Sequence, residues 1–266
     1  MFNNIYARYI AERKLSTVLT SVGLFLLSIM YSGIYETMKG TISDFAKNAP
    51  NGIEAIIGNL SAAASPNGWL NVELFSLFVP IVFASIGIMF GSGAIGKEEE
   101  SGTLELLLAS PISRRRIILE KAFGFSIQTA IISVATWLGV ATGSIIFTFS
   151  VNLSNVFLAI SSGWLVSLVF GYFTLAVQNI SKKRLVGMGA GIGLLVIGYF
   201  ADILSNLLDS LSFLKYISPF HYYNSENTLM GNFSILYFSI LIICALLALV
   251  ISSIAFEKRD TGVLLF

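Results

Sequence analysis

The chain has little charge for its length. Of 266 residues, 12% are acidic or basic and 55% are hydrophobic, and the mean hydropathy is +0.81. A water-soluble domain usually has about a quarter of its residues charged. The composition therefore excludes an ordinary soluble protein and predicts an all-α polytopic membrane protein.

Cysteine and histidine are almost missing as well. The single cysteine, Cys244, excludes an intramolecular disulfide and a cysteine-based metal cluster. The single histidine, His221, can be grouped with Asp209 and nearby serines as a hydrolase site, but no nucleophile motif accompanies it, and an HExxH zinc motif is absent from the sequence. We interpret His221 as structural and expect no enzyme activity, metal or cofactor in this chain.

Long apolar stretches recur along the whole sequence. About 20 apolar residues cross the hydrocarbon core of a membrane, and six stretches meet this length. They cover about residues 15–35, 70–95, 122–149, 156–177, 185–204 and 233–256. The first is too long for a cleaved signal peptide, so we expect six retained transmembrane helices in one domain, residues 1–266.

The basic residues fall mainly on one side of this arrangement. Thirteen of the 16 lysines and arginines precede the first span, follow the last or lie in alternate loops, and only Lys39, Lys47 and Lys215 lie on the other side. Since positive loops stay in the cytoplasm, we expect both termini and residues 97–121 to be cytoplasmic and residues 36–69 and 205–232 to be external loops. The expected location is the plasma membrane.

Three segments outside the spans have patterns of their own. Residues 1–14 suit a short helix in the cytoplasmic interface, or else a plain basic anchor. The external loop after the first span contains an apolar helical pattern from Ile53 to Leu60, and Ser61 to Gly68 is interpreted as a flexible return. Residues 205–232 contain an aromatic group that suits the outer interface, namely Tyr216, Phe220, Tyr222 and Tyr223.

Charge is concentrated in residues 97–121, which contain ten of the 31 acidic and basic residues. Three glutamates lead to a predicted turn at Ser101 and Gly102, after which Thr103 is a candidate cap for a short leucine-rich helix. Ser113 is the candidate cap of the next helix. The three arginines that follow lie where the helix dipole disfavours cations, so they need lipid headgroups or nearby glutamates as partners. The short helix is either a docking element or a helix packed on the bundle.

The string EEESGTLELLLASPISRRRIILEK resembles the signature of type-2 ATP-binding-cassette (ABC) permeases, the six-helix membrane subunits of ABC exporters. SPFHYY before the sixth span and AFEKRD after it resemble the same family. The resemblance implies that two permease subunits, identical or related, form the pathway, and that each rests on a separate ATPase subunit, which holds ATP and magnesium. It implies no nucleic-acid partner.

The same resemblance assigns the helix after the second span as the coupling helix that fits a groove of the ATPase. The positions that match the family signature are Glu98, Glu99, Gly102, Thr103, Leu104, Glu105, Leu107, Ser110, Pro111 and Arg114.

One motif resembles an ATP-binding site. GSGAIGKE matches a phosphate-binding loop at Gly91, Gly96 and Lys97, but Glu98 replaces the Ser or Thr that binds magnesium. The motif also ends a membrane helix instead of following a strand. We therefore expect no ATP site here, and an ATP-driven transporter would need its ATPase on another polypeptide.

The spans themselves offer two further indications. Glu73 and Asp202 lie near outer ends and no charge lies near a span centre, which disfavours a proton pathway. An apolar or amphipathic substrate fits better, while a pathway for ions along polar backbone or hydroxyl groups stays open. The fifth span has glycines at four-residue intervals, which permit close helix contact: Gly187, Gly189, Gly191 and Gly193. These glycines either form a moving or dimerising face or take part in ordinary helix packing within one bundle.

Two other functions remain open at this point. A non-transporting sensor or assembly component would keep a docking helix without moving a substrate. A stand-alone secondary transporter would respond to ion gradients and need no ATPase, although the charged segment argues against it.

Overall fold

The protein is a bundle of α-helices. The computed structural model describes residues 5–48, 65–109 and 111–258, and these ranges contain no strand. In chain order the helices are α1 (Ile5–Glu12), α2 (Lys14–Asn48), α3 (Pro66–Leu70), α4 (Phe78–Glu100), α5 (Leu104–Leu108), α6 (Arg114–Ile146), α7 (Leu153–Ser181), α8 (Arg184–Leu207), α9 (Pro219–Tyr223), α10 (Ser225–Leu229) and α11 (Ile235–Glu257). A π-helical turn, Asn71–Phe75, joins α3 to α4, and a 3₁₀ helix, Asp209–Tyr216, follows α8.

Six stretches of the described chain are long and apolar enough to cross a membrane, which confirms the predicted number of spans. They are Lys14–Thr41 within α2, Pro66–Glu100 through α3 and α4, and the whole of α6, α7, α8 and α11. The predicted amphipathic helix from Ile53 to Leu60 lies outside the described residues. So does the first half of the predicted flexible return from Ser61 to Gly68. The second half is not a flexible return, because Ser65 caps α3 and Pro66 to Gly68 form its first turn.

The helices run past the apolar stretches that predicted them. α2 continues to Asn48, so residues 36–48, predicted as part of an external loop, are helical. α4 continues to Glu100 and α6 begins at Arg114, which shortens the connection between them to residues 101–113. Hydropathy detects only the part of a helix that suits lipid, whereas backbone hydrogen bonds form equally well beyond it.

Side-chain caps fix where several helices begin. Ser113 has an extended backbone, and its hydroxyl accepts a hydrogen bond from the Arg116 N–H at 3.4 Å, as predicted. Asn152 caps α7 by accepting from the N–H groups of Ser154 and Asn155 at 3.0 and 3.3 Å. Such caps satisfy N–H groups that have no partner inside the helix. They set the points at which α6 and α7 enter the bundle.

α7 is the central helix. It packs against α4, α6, α8 and α11, and Val166, Phe170 and Leu175 are among its fully enclosed side chains. A helix that is apolar all round belongs in the middle of a bundle. The first span, α2, packs mainly against α6. The first, fifth and sixth spans leave much of their apolar surface exposed, as helices facing lipid do.

Glycines let neighbouring spans touch backbone to backbone. A Cβ atom at Gly91 on α4 would collide with the carbonyl oxygen of Gly171 on α7, and Gly87 makes the same kind of contact one turn earlier. On the α2–α6 pair, a Cβ atom at Gly139 would lie 2.5 Å from the Phe25 carbonyl oxygen. Small residues at such positions allow the close packing that holds helices together in lipid.

α1 lies against the start of α6. Ile5 and Tyr9 are buried, and the Ile5 N–H donates a 2.8 Å hydrogen bond to Glu120. The rings of Tyr6 and Phe123 meet edge to face, with their centroids 5.7 Å apart. The segment before the first span is therefore a helix fastened to the bundle.

Aromatic contacts close the opposite end of the bundle. The Trp69 indole N–H donates to the Tyr31 carbonyl at 2.8 Å. Tyr35 lies edge-on to Phe149, with ring centroids 5.1 Å apart, and 6.1 Å from the Trp69 ring. These contacts join the first and second spans to the loop after the third.

We expect Gly91→Ala and Gly23→Ala to change stability in opposite directions. At Gly91 the added methyl group meets rigid backbone, which should destabilise the protein by about 1–3 kcal/mol. Gly23 is exposed on α2, and an added Cβ there meets no described atom within 4 Å, so alanine should be neutral or stabilising by up to about 1 kcal/mol. Melting temperatures in detergent measure both, and equal values would contradict the α4–α7 contact.

Candidate functional site

The charged segment after α4 lies at the end of the bundle where the basic loops meet. Arg184, at the start of α8, donates to Glu100 at 2.5 Å. Arg114, at the start of α6, donates to the Glu257 carbonyl in the last turn of α11 at 3.4 Å. The turn between α7 and α8, the end of α11 and the segment between α4 and α6 therefore share one end of the bundle.

Gly102 ends α4 and redirects the chain. Its φ of +67° is in the left-handed region that favours glycine. The Thr103 N–H donates to the Glu98 carbonyl at 2.9 Å, and the Gly102 N–H donates to the Glu99 carbonyl at 3.2 Å. This pair of bonds is the Schellman arrangement that terminates helices. The Thr103 hydroxyl, predicted to cap the next helix, shares a 2.8 Å hydrogen bond with Ser101.

α5 is the short helix that this turn projects. Leu104 and Leu108 are partly buried and pack against the core. Glu105 is exposed, and Leu106 has 70% of its surface exposed. α5 thus has an inner leucine face that holds it to the bundle and an outer face that combines an acid with an apolar side chain.

Three of the predicted coupling positions need separate mention. The backbone of Leu107 is part of α5, but its side chain is outside the described residues, as is the whole of Ser110. Pro111 is exposed, in the turn just before α6.

Two of the three arginines at the start of α6, Arg114 and Arg116, have partners within the protein. Arg116 donates to Glu120 at 2.7 Å, and Arg114 reaches the carbonyl end of α11, where a helix dipole favours cations. Of the two partners that the sequence suggested, glutamates and lipid, the structure provides a glutamate for Arg116. Arg115 is exposed beside them.

Two cations that the sequence placed among the loop residues are buried. Lys121 is 3% exposed and Arg13 is 7% exposed. Lys121 forms an ion pair with Glu98. Glu98, one of the predicted coupling residues, therefore points into the bundle. Spacing could have revealed Lys121, because Ile117, Ile118 and Lys121 follow the interval of one helix face, and both isoleucines are buried.

Glu99 is half-buried, and its carboxylate lies 3.5 Å from the end of the Gln178 side chain of α7. The three consecutive glutamates therefore face different helices: Glu98 faces α6, Glu99 faces α7 and Glu100 faces α8.

The stretch that resembles a phosphate-binding loop is not a loop. Residues 91–98 are continuous α-helix within α4. Gly91 contacts the backbone of α7, and Gly96 contacts the side chain of Arg184. These glycines serve helix packing.

The four glycines of the fifth span divide into two pairs. A Cβ atom at Gly187 would lie 2.8 Å from the Thr174 carbonyl oxygen, and one at Gly191 would collide with the Thr174 hydroxyl. Cβ atoms at Gly189 and Gly193 would meet no described atom within 4 Å. The first pair packs inside the subunit, and the second pair faces outward.

His221 lies far from this end, in α9. The sequence grouped it with Asp209, but the structure places its Nδ1 3.9 Å from Asp202 of α8, with three tyrosine rings around it. Burial, with a smaller contribution from Lys215, lowers the pKa of His221. This aromatic setting agrees with the structural role expected for it.

Six helices long and apolar enough to cross a membrane define the class: a multi-pass membrane protein. The comparison with protein families makes this specific. The family model for "ABC-2 family transporter protein" matches residues 10–261, and the chain belongs to this family. A comparison with curated proteins gives no match.

The left-handed backbone at Gly102 generates a prediction. Asparagine tolerates this region whereas valine does not, so Gly102→Val should disrupt the turn and Gly102→Asn should largely keep it. Hydrogen–deuterium exchange of residues 97–109 should rise in the valine variant and stay near the wild-type rate in the asparagine variant. Equal exchange in both variants would show that the turn does not depend on Gly102.

Proposed function

We propose that the protein is the permease subunit of an ABC exporter, and that it couples ATP hydrolysis by a separate ATPase subunit to substrate movement across the plasma membrane. The family membership supports a permease. The observation that carries the coupling role is α5, whose inner face is held to the bundle while Glu105 and Leu106 remain exposed at the basic end.

The geometry of α5 suits docking for two reasons. An exposed leucine flanked by a carboxylate offers an apolar anchor together with a charge that selects a basic partner surface. The Gly102 turn and the two packed leucines hold this face in a fixed orientation, which lowers the entropy that docking would lose. A rigid docking face is also able to transmit a displacement to the spans behind it.

We assign the basic end to the cytoplasm, where the ATPase and its ATP are found. Arg8, Lys97, Arg115 and Lys183 all lie at this end, in agreement with the positive-inside rule. The outer end carries the aromatic contacts of α2, α3 and α9. Both termini follow the basic end into the cytoplasm.

We further propose that a second permease subunit, identical or related, completes the pathway. The outward pair Gly189 and Gly193 leaves a shallow surface on α8 that another helix could approach closely. Span centres without charge favour an apolar or amphipathic substrate, and export is the direction that the family resemblance implies.

The test is purification of the tagged chain from its native membranes in mild detergent, followed by identification of co-purifying subunits and an ATPase assay. We expect a soluble ATPase to co-purify. Glu105→Lys should weaken its binding about tenfold, which corresponds to about 1.4 kcal/mol, because a cation would replace the exposed carboxylate. Membrane insertion should be unchanged.

Glu36→Lys is the matched control. It makes the same charge reversal at an exposed glutamate near the opposite end of the bundle, where no cytoplasmic subunit can reach, so ATPase binding should remain normal. Normal binding and transport by Glu105→Lys would count against the role of α5. Wild-type protein free of any ATPase would instead favour a sensor or a stand-alone carrier.

A further inference from the structure

Two turns of α4, which end one turn before the helix does, are held by side chains from three directions. We call residues Phe90–Gly96 the gripped segment. The Tyr9 hydroxyl of α1 donates to the Phe90 carbonyl at 3.0 Å, and Arg13, between α1 and α2, donates to the Gly93 carbonyl at 2.5 Å. Lys121 of α6 donates to the Ala94 carbonyl, also at 2.5 Å.

The central helix α7 contributes the third direction. The Gln178 amide, in the orientation that satisfies both of its polar atoms, donates to the Ser92 carbonyl at 2.8 Å and accepts from the Gly96 N–H at 2.9 Å. Gln178 is fully buried. Side chains of α1, α6 and α7 therefore all bind the gripped segment. This segment lies just before the three glutamates that lead to α5.

The glycines of the gripped segment make room for these partners. A Cβ atom at Gly93 would lie 2.5 Å from an Arg13 guanidinium nitrogen. The same guanidinium group stacks on the rings of Tyr9 and Phe90, 4.5 and 5.1 Å from their centroids. The stretch that resembles a phosphate-binding loop thus has a structural use: small residues expose backbone carbonyls to buried cations.

Lys121 makes the connection that matters most for coupling. Its ammonium group binds the Ala94 carbonyl and also pairs with Glu98, so it holds both the gripped segment and the first glutamate of the charged segment to α6. Burying a charge pair gives little net stability compared with apolar side chains of similar volume. A pair whose lysine is only 3% exposed is better explained by the geometry that it fixes.

We propose that Lys121 is a positioning residue, which fastens the end of α4 to α6 so that the coupling helix α5 and the third span move as one body. Glu98 then acts inside the subunit, through Lys121. Glu105 and Leu106 remain the surface that meets the ATPase. This inference rests on the proposed function and deepens it, since it identifies the connection that carries motion from α5 into the membrane.

The first readout needs no ATPase. Nitroxide labels are attached to cysteines introduced by Leu106→Cys and Leu119→Cys, at positions exposed on α5 and α6. The full-length protein also carries Cys244→Ser, because the exposed Cys244 would otherwise be labelled. We expect a narrow distance distribution between the labels in the parent protein and a clearly broader one after Lys121→Met. An unchanged distribution would overturn the proposal, whether or not an ATPase binds.

The second readout uses the complete transporter with its ATPase subunit. In Lys121→Met, ATPase binding and the KM for ATP should stay as in wild type, because the docking face is intact. The ATP hydrolysed per substrate moved should rise about threefold to tenfold, the range expected for mutations along a coupling path. Normal stoichiometry would overturn the proposal, and failure of wild type to bind an ATPase would instead reject the proposed function.

Two further variants separate positioning from folding. The double variant Lys121→Met with Glu98→Gln removes both charges of the pair, so neither is left without its partner. It should fold with near wild-type stability and still lose coupling. Glu100→Gln is the matched control two residues away: Glu100 is exposed and its partner Arg184 partly buried, and ion pairs near the surface contribute little. It should keep normal coupling, and a loss equal to that of Lys121→Met would contradict the assignment.

Discussion

Backbone contact between the second and fourth spans is the constraint on which the rest of the structure depends. In lipid no water is expelled when helices associate, so they are held by close packing. Gly91 on α4 meets the Gly171 carbonyl on α7 with no space for a side chain. This contact fixes the rotation and height of α4 against the central helix. The position of every group attached to the end of α4, including the Gly102 turn and α5, follows from it.

Much of the fold could be predicted from local features of the sequence. Apolar length alone gave six spans, because the thickness of the hydrocarbon core sets the length of a crossing helix. Ser113 and Gly102 were recognised as a helix start and a turn because each satisfies a local backbone requirement. The glycine intervals indicated close contacts, but not which partner each would meet. Gly187 and Gly189 are two residues apart, yet one packs inside the subunit and the other faces outward.

Counting charge did not predict the burial of Arg13 and Lys121. The helix-face spacing of Lys121 indicates its burial, but the partners of both residues lie on a helix distant in sequence. Arg13 reaches Gly93 across 80 residues and Lys121 reaches Ala94 across 27. As loop cations they supported the orientation of the chain, and in the structure they bind carbonyl groups of α4. The charged segment accordingly has two parts. Its first glutamate is tied inward, and its short helix remains available at the surface.

The length of α2 has a consequence for the side of the membrane opposite the basic end. Its 35 residues, at about 1.5 Å each, extend about 52 Å, whereas the hydrocarbon core is about 30 Å thick. Since α2 begins at Lys14, beside the basic end, its final turns from about Glu36 onward stand beyond the acyl chains. The helix therefore extends beyond the hydrocarbon core as a rigid projection through the headgroup layer.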